Sequence, residues 1–222
     1  MTTSEGRILA AGAAELGVEL GSEAVGRLDR FLEVLDVWNR RFRLTGERDR
    51  RLLIEKHVID SLAPVPHLPG EGTVVDIGTG GGFPGIIIGC VKPQLDLALV
   101  ESRRRPTSFL REAIRSIPLP RARALEARAE EAARDPELSG RAAAVIARAV
   151  RLDRFLELAA PFLAPRGEVV AMQTPRSARA AGLAGAPHGL HLGRRHDYRL
   201  LDGSTRTLLV FRRAQNISES VS

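Results

Sequence analysis

The sequence predicts an α/β protein: a mostly parallel sheet with helices on both faces, preceded by an N-terminal helical extension. Three observations predict it. From residue 73 onward, short β-branched apolar runs alternate with helix-period segments, the pattern of strands joined through crossover helices. The first of these runs enters a turn with almost no side chains, in the stretch VVDIGTGGGFPG over residues 74–85. Before residue 70 only helical periodicity is visible, and it ends in APVPHLPGEG (63–72), whose prolines and glycines mark a linker.

The elements follow in order. Residues 22–42 form an amphipathic helix. Ser22 is its expected cap, and Leu28, Phe31, Leu32, Leu35, Trp38 and Phe42 lie near one face. RLTGERDR (43–50) breaks it, and Asp49 caps a second helix to about Leu62. After the linker, TVVDI (73–77) is a strand. PGIIIGCV (84–91) is a helix apolar all round, hence buried, with Pro84 in its first turn and Lys92-Pro93 at its stop. DLALVE (96–101), RALEA (123–127), AAVIA (143–147), EVVAM (168–172) and RTLLVFR (206–212) are further strands, and 105–116 and 152–163 are helices. The organisation expected is a helical segment over 1–69, an α/β domain over 70–213 and a polar, frayed tail over 214–222.

Composition narrows the setting. The chain has 222 residues and a net charge of +6, and 31 of its 33 basic residues are arginine. A GC-rich coding sequence accounts for the arginine bias, but the positive balance itself favours polyanions. There is no apolar run of membrane-spanning length and no basic start leading into an apolar stretch, so neither a membrane span nor a signal peptide is expected. The single cysteine, Cys90, lies in an apolar run and reads as a small buried residue in a reducing cytoplasm. A monomer is expected.

The glycine turn sits where open α/β folds bind ligands, beside the carboxyl ends of strands. Gly80, Gly82 and Gly85 formally fit the dinucleotide pattern, but that pattern should begin directly after the strand. Here Asp76 comes first, and a carboxylate is a poor neighbour for a pyrophosphate. It suits a ligand with a cationic part and no phosphate, such as S-adenosylmethionine. Glu101 ends the second strand, where a carboxylate can take both hydroxyls of a ribose. Together these residues favour a methyltransferase over a nicotinamide oxidoreductase. The alternative is that Asp76 caps the following helix and the glycines only turn the chain.

VVDIGTGGGFPGIIIG, with FRLTGERD and KHVIDS before it and VIARAV after it, resembles the bacterial ribosomal RNA small-subunit methyltransferase G family, also called glucose-inhibited division protein B. The resemblance runs from about Trp38 to Phe211. It implies a Rossmann-like class I methyltransferase fold, S-adenosylmethionine as cofactor, and N7 of a guanine in 16S ribosomal RNA, free or within the small ribosomal subunit, as target. It places cofactor contacts at Gly78, Phe83, Ala129, Glu130 and Arg148, beside Asp76, Gly80 and Glu101 from the residues themselves. Phe83 reads equally as core. Three positions depart from the family: Arg43 where it has asparagine, Gln173 where it usually has lysine, and Pro106 where the second of two cations is lost beside Arg105.

Guanine N7 carries no proton, so its methylation needs orientation rather than a general base. Arg105, Arg128 and Arg148 are the candidates for holding guanine or phosphate. His57 and Asp60 share a helix face and, with Ser61, read as an interdomain hydrogen-bond cluster. His188, His191 and His196 read as an irregular surface loop rather than a metal site, and no metal is expected. A small-molecule methyltransferase and an inactive ribosome-binding paralogue remain the alternatives.

Overall fold

The computed structural model describes residues 1–180 and 187–213; the expected tail lies outside them. Seven strands form one sheet in the order β3-β2-β1-β4-β5-β7-β6. They are β1 (Thr73–Ile77), β2 (Asp96–Glu101), β3 (Ala122–Glu126), β4 (Ala142–Arg148), β5 (Leu163–Gln173), β6 (Leu190–Arg199) and β7 (Thr205–Arg213). β1 to β5 are parallel, and β7 runs antiparallel between β5 and β6. The strand order reverses between β1 and β4, which places the crevice of the fold at the ends of these two strands.

The sheet is covered on both faces. Helices α1 (Thr3–Glu15), α2 (Ser22–Phe42), α3 (Arg50–Leu53), α4 (Ile59–Leu62), α5 (Gly85–Val91) and α6 (Arg104–Ser116) lie on one face. A π-helical turn, Ile54–Val58, joins α3 to α4 without a break. On the other face lie α7 (Ala129–Ala132), α8 (Leu152–Ala159) and α9 (Pro175–Ala180). β1 divides its side chains accordingly: Val74 faces the first layer, Val75 and Ile77 the second. Helix α5 is apolar all round because it lies between the sheet and the helical segment. Ile86, Ile87, Ile88 and Cys90 are fully buried there, and the core they fill also takes Leu9, Leu32 and Leu62.

Three sequence expectations are corrected, and one helix is added. Gly21, not Ser22, is the N-cap of α2, with no side-chain bond at this end; an intact helical backbone does not need one when its apolar face is buried. Phe42 is 42% exposed rather than inward; it is the last residue of the helix, which Arg43 ends in a left-handed conformation. His191 and His196 belong to strand β6, not to an irregular loop. Three arginines, an aspartate and these two histidines hid that edge strand, since they leave it little apolar alternation. Helix α1, for which nothing was expected, is closed by a capping box between Thr2 and Glu5.

Candidate active site

The glycine turn after β1 does two different jobs. Its second half packs against the protein. A Cβ on Gly85 would stand 2.3 Å from Leu99 and 2.6 Å from the Asp76 carboxylate, and one on Gly82 would stand 2.9 Å from Ile86. Its first half faces open space. Gly78 (φ 72°) and Gly80 (φ 55°) adopt left-handed backbone that other residues avoid, yet a Cβ on either would meet nothing closer than 3.8 Å. The face above these two glycines leaves room for a ligand, although their amides are already bonded to the Val100 carbonyl and to Glu101, whereas at Gly82 and Gly85 the space is filled by packing.

Asp76 is 1% exposed. Its Oδ2 accepts the Gly85 amide at 2.8 Å, so the carboxylate caps the first turn of α5. Its Oδ1 has no hydrogen-bond partner. Burial pushes the group up to about 6, against the opposing pull of the Thr79 hydroxyl and then of the Gly85 amide. Glu101 closes the other side of the turn. It is 4% exposed, accepts the Gly80 amide at 3.0 Å, and takes both the backbone amide and Nε of Arg103 at 3.0 Å.

The loop after β4 forms the facing wall. Ala149 holds a left-handed φ of 62°, an uncommon state for a residue with a side chain. Gln173 at the end of β5 donates to the Val150 carbonyl at 3.0 Å, so the neutral amide pins this loop. Arg148 turns toward the helical segment. Its guanidinium bonds Asp60 Oδ2 at 3.2 Å, lies 3.2 Å from His57 Nδ1, and sits 5.1 Å from the Phe83 ring centroid. Phe83 is packed in the core, 4% exposed, and also carries Arg148. One edge meets Phe31 in the core, with centroids 5.4 Å apart, while its face carries Arg148. Burial, then the Arg148 charge, lowers His57 to about 4, which keeps its imidazole neutral at pH 7.

A cleft of about 630 Å³ opens beside this wall. Lys56, Arg151, Arg206, Tyr198 and Asp202 line it together with His57, Asp60, Arg148 and Gln173. The first five are absent from the sequence-derived candidates. Their signal was weak: a cleft wall drawn from several separate elements has no local spacing. The structure ties Gly80 to Glu101 by a hydrogen bond and sets Arg148 over Phe83; Gly78 faces Val150, and of these residues Arg148 and Val150 line the cleft. It sets other candidates apart. Arg105 is exposed at the α2–α6 corner, 5.9 Å over the Phe42 ring. Arg128 is exposed at the start of α7, beside the buried Ala129. Glu130 is paired with Arg154 of α8. Among the described residues there is no group of three or more His, Cys, Asp or Glu placed to hold a metal. No helix among them is long and apolar enough to cross a membrane.

Strand order, glycine turn and crevice together define a class I methyltransferase fold. TrmN from Thermus thermophilus shares it at a TM-score of 0.57 and 18% identity, over 79% of this chain and 53% of TrmN, so this chain spans about half of that one. M. jannaschii TYW2, solved in complex with AdoMet, shares it at a TM-score of 0.53 and 17% identity, over 71% and 76%. The model of the family GidB, rRNA small subunit methyltransferase G, matches residues 25–183. Ribosomal RNA small subunit methyltransferase G of Myxococcus xanthus is 36% identical over 208 residues, covering 91% of this chain and 94% of the relative. That of Geobacter sp. is 37% identical over 174 residues, covering 78% and 79%. The chain belongs to the rRNA small subunit methyltransferase G family.

Proposed function

We propose that the protein transfers the methyl group of S-adenosylmethionine to N7 of a guanine in 16S ribosomal RNA, acting in the cytoplasm on the RNA or the small ribosomal subunit. The observation that carries this reading is the adjacency of two sites at the switch point of the sheet. One is a turn with open backbone at Gly78 and Gly80, closed by the Glu101 carboxylate. The other is the cleft with Lys56, Arg151 and Arg206 at its walls.

The residues fit the cofactor. Its ribose hydroxyls match Glu101, its cationic groups need no phosphate cradle, and the unfilled space over Gly78 and Gly80 gives it room. When bound, S-adenosylmethionine supplies an electrophilic methyl group on a sulfonium. The protein's part is to orient. Glu101 and the open face over Gly78 and Gly80 hold one partner, the cleft cations hold the RNA backbone, and Phe83 with Arg148 forms the partition between them. No side chain has to remove a proton, because N7 attacks through a lone pair. Residues 70–213 carry the cofactor in this reading, and residues 1–69 wall the cleft through Lys56, His57 and Asp60. Ala129, beside the end of β3, completes the crevice rim.

The test is direct. Purified protein, 16S RNA or small subunits lacking the modification, and labelled cofactor are combined, and the RNA is mapped by mass spectrometry. One new N7-methylguanine supports the reading. Label elsewhere, or none on either substrate, refutes it.

A further inference from the structure

One atom of the β6–β7 hairpin, the Tyr198 hydroxyl, reaches the Asp60–Arg148 pair. Tyr198, the only tyrosine of the chain, is 7% exposed, and its hydroxyl donates to Asp60 Oδ1 at 2.6 Å. The other Asp60 oxygen accepts Arg148 at 3.2 Å. Both oxygens of a carboxylate that is 5% exposed are thus assigned, one to a hydroxyl 138 residues away and one to a guanidinium 88 residues away. Packing alone would have used apolar side chains here. A buried hydrogen-bonded charge pair instead fixes one orientation at the junction of three elements.

We propose that Tyr198 is a positioning residue for methyl transfer, acting through Asp60 to hold Arg148 against Phe83 at the seam between the glycine turn and the cleft. The proposal rests on the methyltransferase reading above. Its logic is electrostatic as well as geometric. In the transfer, N7 gives its lone pair to the methyl carbon, the carbon–sulfur bond breaks, and that bond's electron pair stays on sulfur. No proton moves, and the positive charge passes to the base. A bare guanidinium at the seam opposes that charge. A guanidinium paired with a carboxylate does not, so Arg148 can hold its place without electrostatic cost only while Asp60 is held too. Tyr198 does the holding.

The experiment compares Tyr198→Phe, Asp60→Asn and the double variant with wild type. It uses single-turnover methylation at saturating RNA and cofactor, with cofactor affinity, RNA affinity and melting temperature on the same preparations. Tyr198→Phe keeps the ring, so the core stays filled. Its methyl-transfer rate is expected to fall about tenfold, the scale of a small misplacement at a reacting centre, with both affinities within about twofold. The double variant is expected to be no slower than Asp60→Asn alone, because Tyr198 acts only through Asp60. Transfer by Tyr198→Phe at the wild-type rate, or losses that multiply in the double variant, overturn the proposal. Should Tyr198→Phe not fold, Asp60→Asn, which preserves shape and removes charge, decides: an unchanged rate overturns the proposal and a slowed rate with intact affinities supports it. A wild-type protein that methylates no RNA overturns the functional reading and the proposal together.

Discussion

Asn39 and Thr45 hold each other by two hydrogen bonds: the Asn39 amide donates to Thr45 Oγ1 at 3.0 Å, and the Thr45 backbone amide donates to Asn39 Oδ1 at 2.9 Å. A third bond, from Asn39 to the Glu47 carbonyl at 2.6 Å, closes the loop between α2 and α3. The clamp sets where residues 44 and 45 lie. A Cβ on Gly81 would be 3.2 Å from the Thr45 methyl and 3.6 Å from the Leu44 carbonyl, so this loop rests on the glycine turn. The helical segment is therefore part of the wall of the proposed cofactor site.

Asn39→Ala tests that relationship. Asn39 is 2% exposed, and truncation leaves the Thr45 amide without its acceptor and the Glu47 carbonyl with the Thr45 hydroxyl alone. The expected cost is about 2–3 kcal/mol of stability, read by chemical denaturation. Cofactor affinity should fall as well, measured by calorimetry well below the melting temperature. Affinity equal to wild type would show that the loop covers the turn without shaping it.

Arg43 marks a place where stability is forgone. It ends α2 with φ 47°, in the left-handed region that glycine or asparagine fills at helix ends. Its side chain is exposed. Arg43→Gly and Arg43→Asn are each expected to raise stability by about 1 kcal/mol. A lower melting temperature in both variants would show that the arginine makes a compensating interaction.

Asp76 is expected to act from beneath the turn, as a cap. Its folded value of about 6 lies above the ordinary carboxylate value of 3.8, so the native state binds more protons between these limits. This group's contribution to stability is therefore fully present below pH 4, is lost as pH rises through 6, and leaves a penalty above it of up to about 3 kcal/mol. Asp76→Asn keeps an acceptor for the Gly85 amide and cannot ionise. Its advantage over wild type should grow from pH 4 to pH 6 and then level off in melting curves. His57, lowered to about 4, titrates with the opposite sign in the same interval, so the comparison must be the difference between the two proteins rather than either profile. Cofactor affinity should change little; a large loss would place the carboxylate in direct contact with the ligand.

The parts of this molecule that could be read in advance are those where neighbours in sequence are neighbours in function. β1 and β2 fall on their apolar runs, with Asp76 and Glu101 at their carboxyl ends and Gly78 and Gly80 on the turn after β1. Tyr198, Arg206, Lys56 and Asn39 were not legible, since each gains its meaning from a partner on another element. The arginines show the converse. Arg105, Arg128 and Arg148 look alike in sequence, but of the three only Arg148 lines the cleft, because it ends β4, which meets β1 at the strand-order reversal.

Glu101→Ala is expected to weaken the cofactor by about 1.5–3 kcal/mol, the scale of hydrogen bonds to a charged group. The structure adds a second consequence. Glu101 also holds the Gly80 amide and Arg103, so the variant should lose order in the turn even without ligand. Hydrogen exchange at residues 78–82 reports it. Unchanged affinity with faster exchange would restrict Glu101 to shaping the turn.

The last prediction separates the arginines by position. If the cleft receives RNA, its cations displace counterions from phosphates, and affinity must fall linearly on a log–log plot against salt. Arg206 lines the cleft, and its guanidinium donates to the neighbouring Thr205 carbonyl at 3.1 Å. Arg206→Ala should therefore weaken RNA binding at every salt concentration and reduce the slope by about 0.7–0.9 for each phosphate that is no longer neutralised. Arg105 and Arg128 stand outside that cleft, and their alanine variants should affect RNA binding less than Arg206→Ala does. Arg212 is the control: it pairs with Glu168 on the β5–β7 ladder, with Nε 2.6 Å from Oε1. Its replacement by alanine should leave the slope unchanged. Cofactor affinity should stay near wild type in all four variants, because that ligand carries no phosphate. Filter binding across a salt series supplies the slopes. A slope altered by Arg105→Ala or Arg128→Ala but not by Arg206→Ala would move the RNA platform from the cleft to the α2–α6 edge or the start of α7.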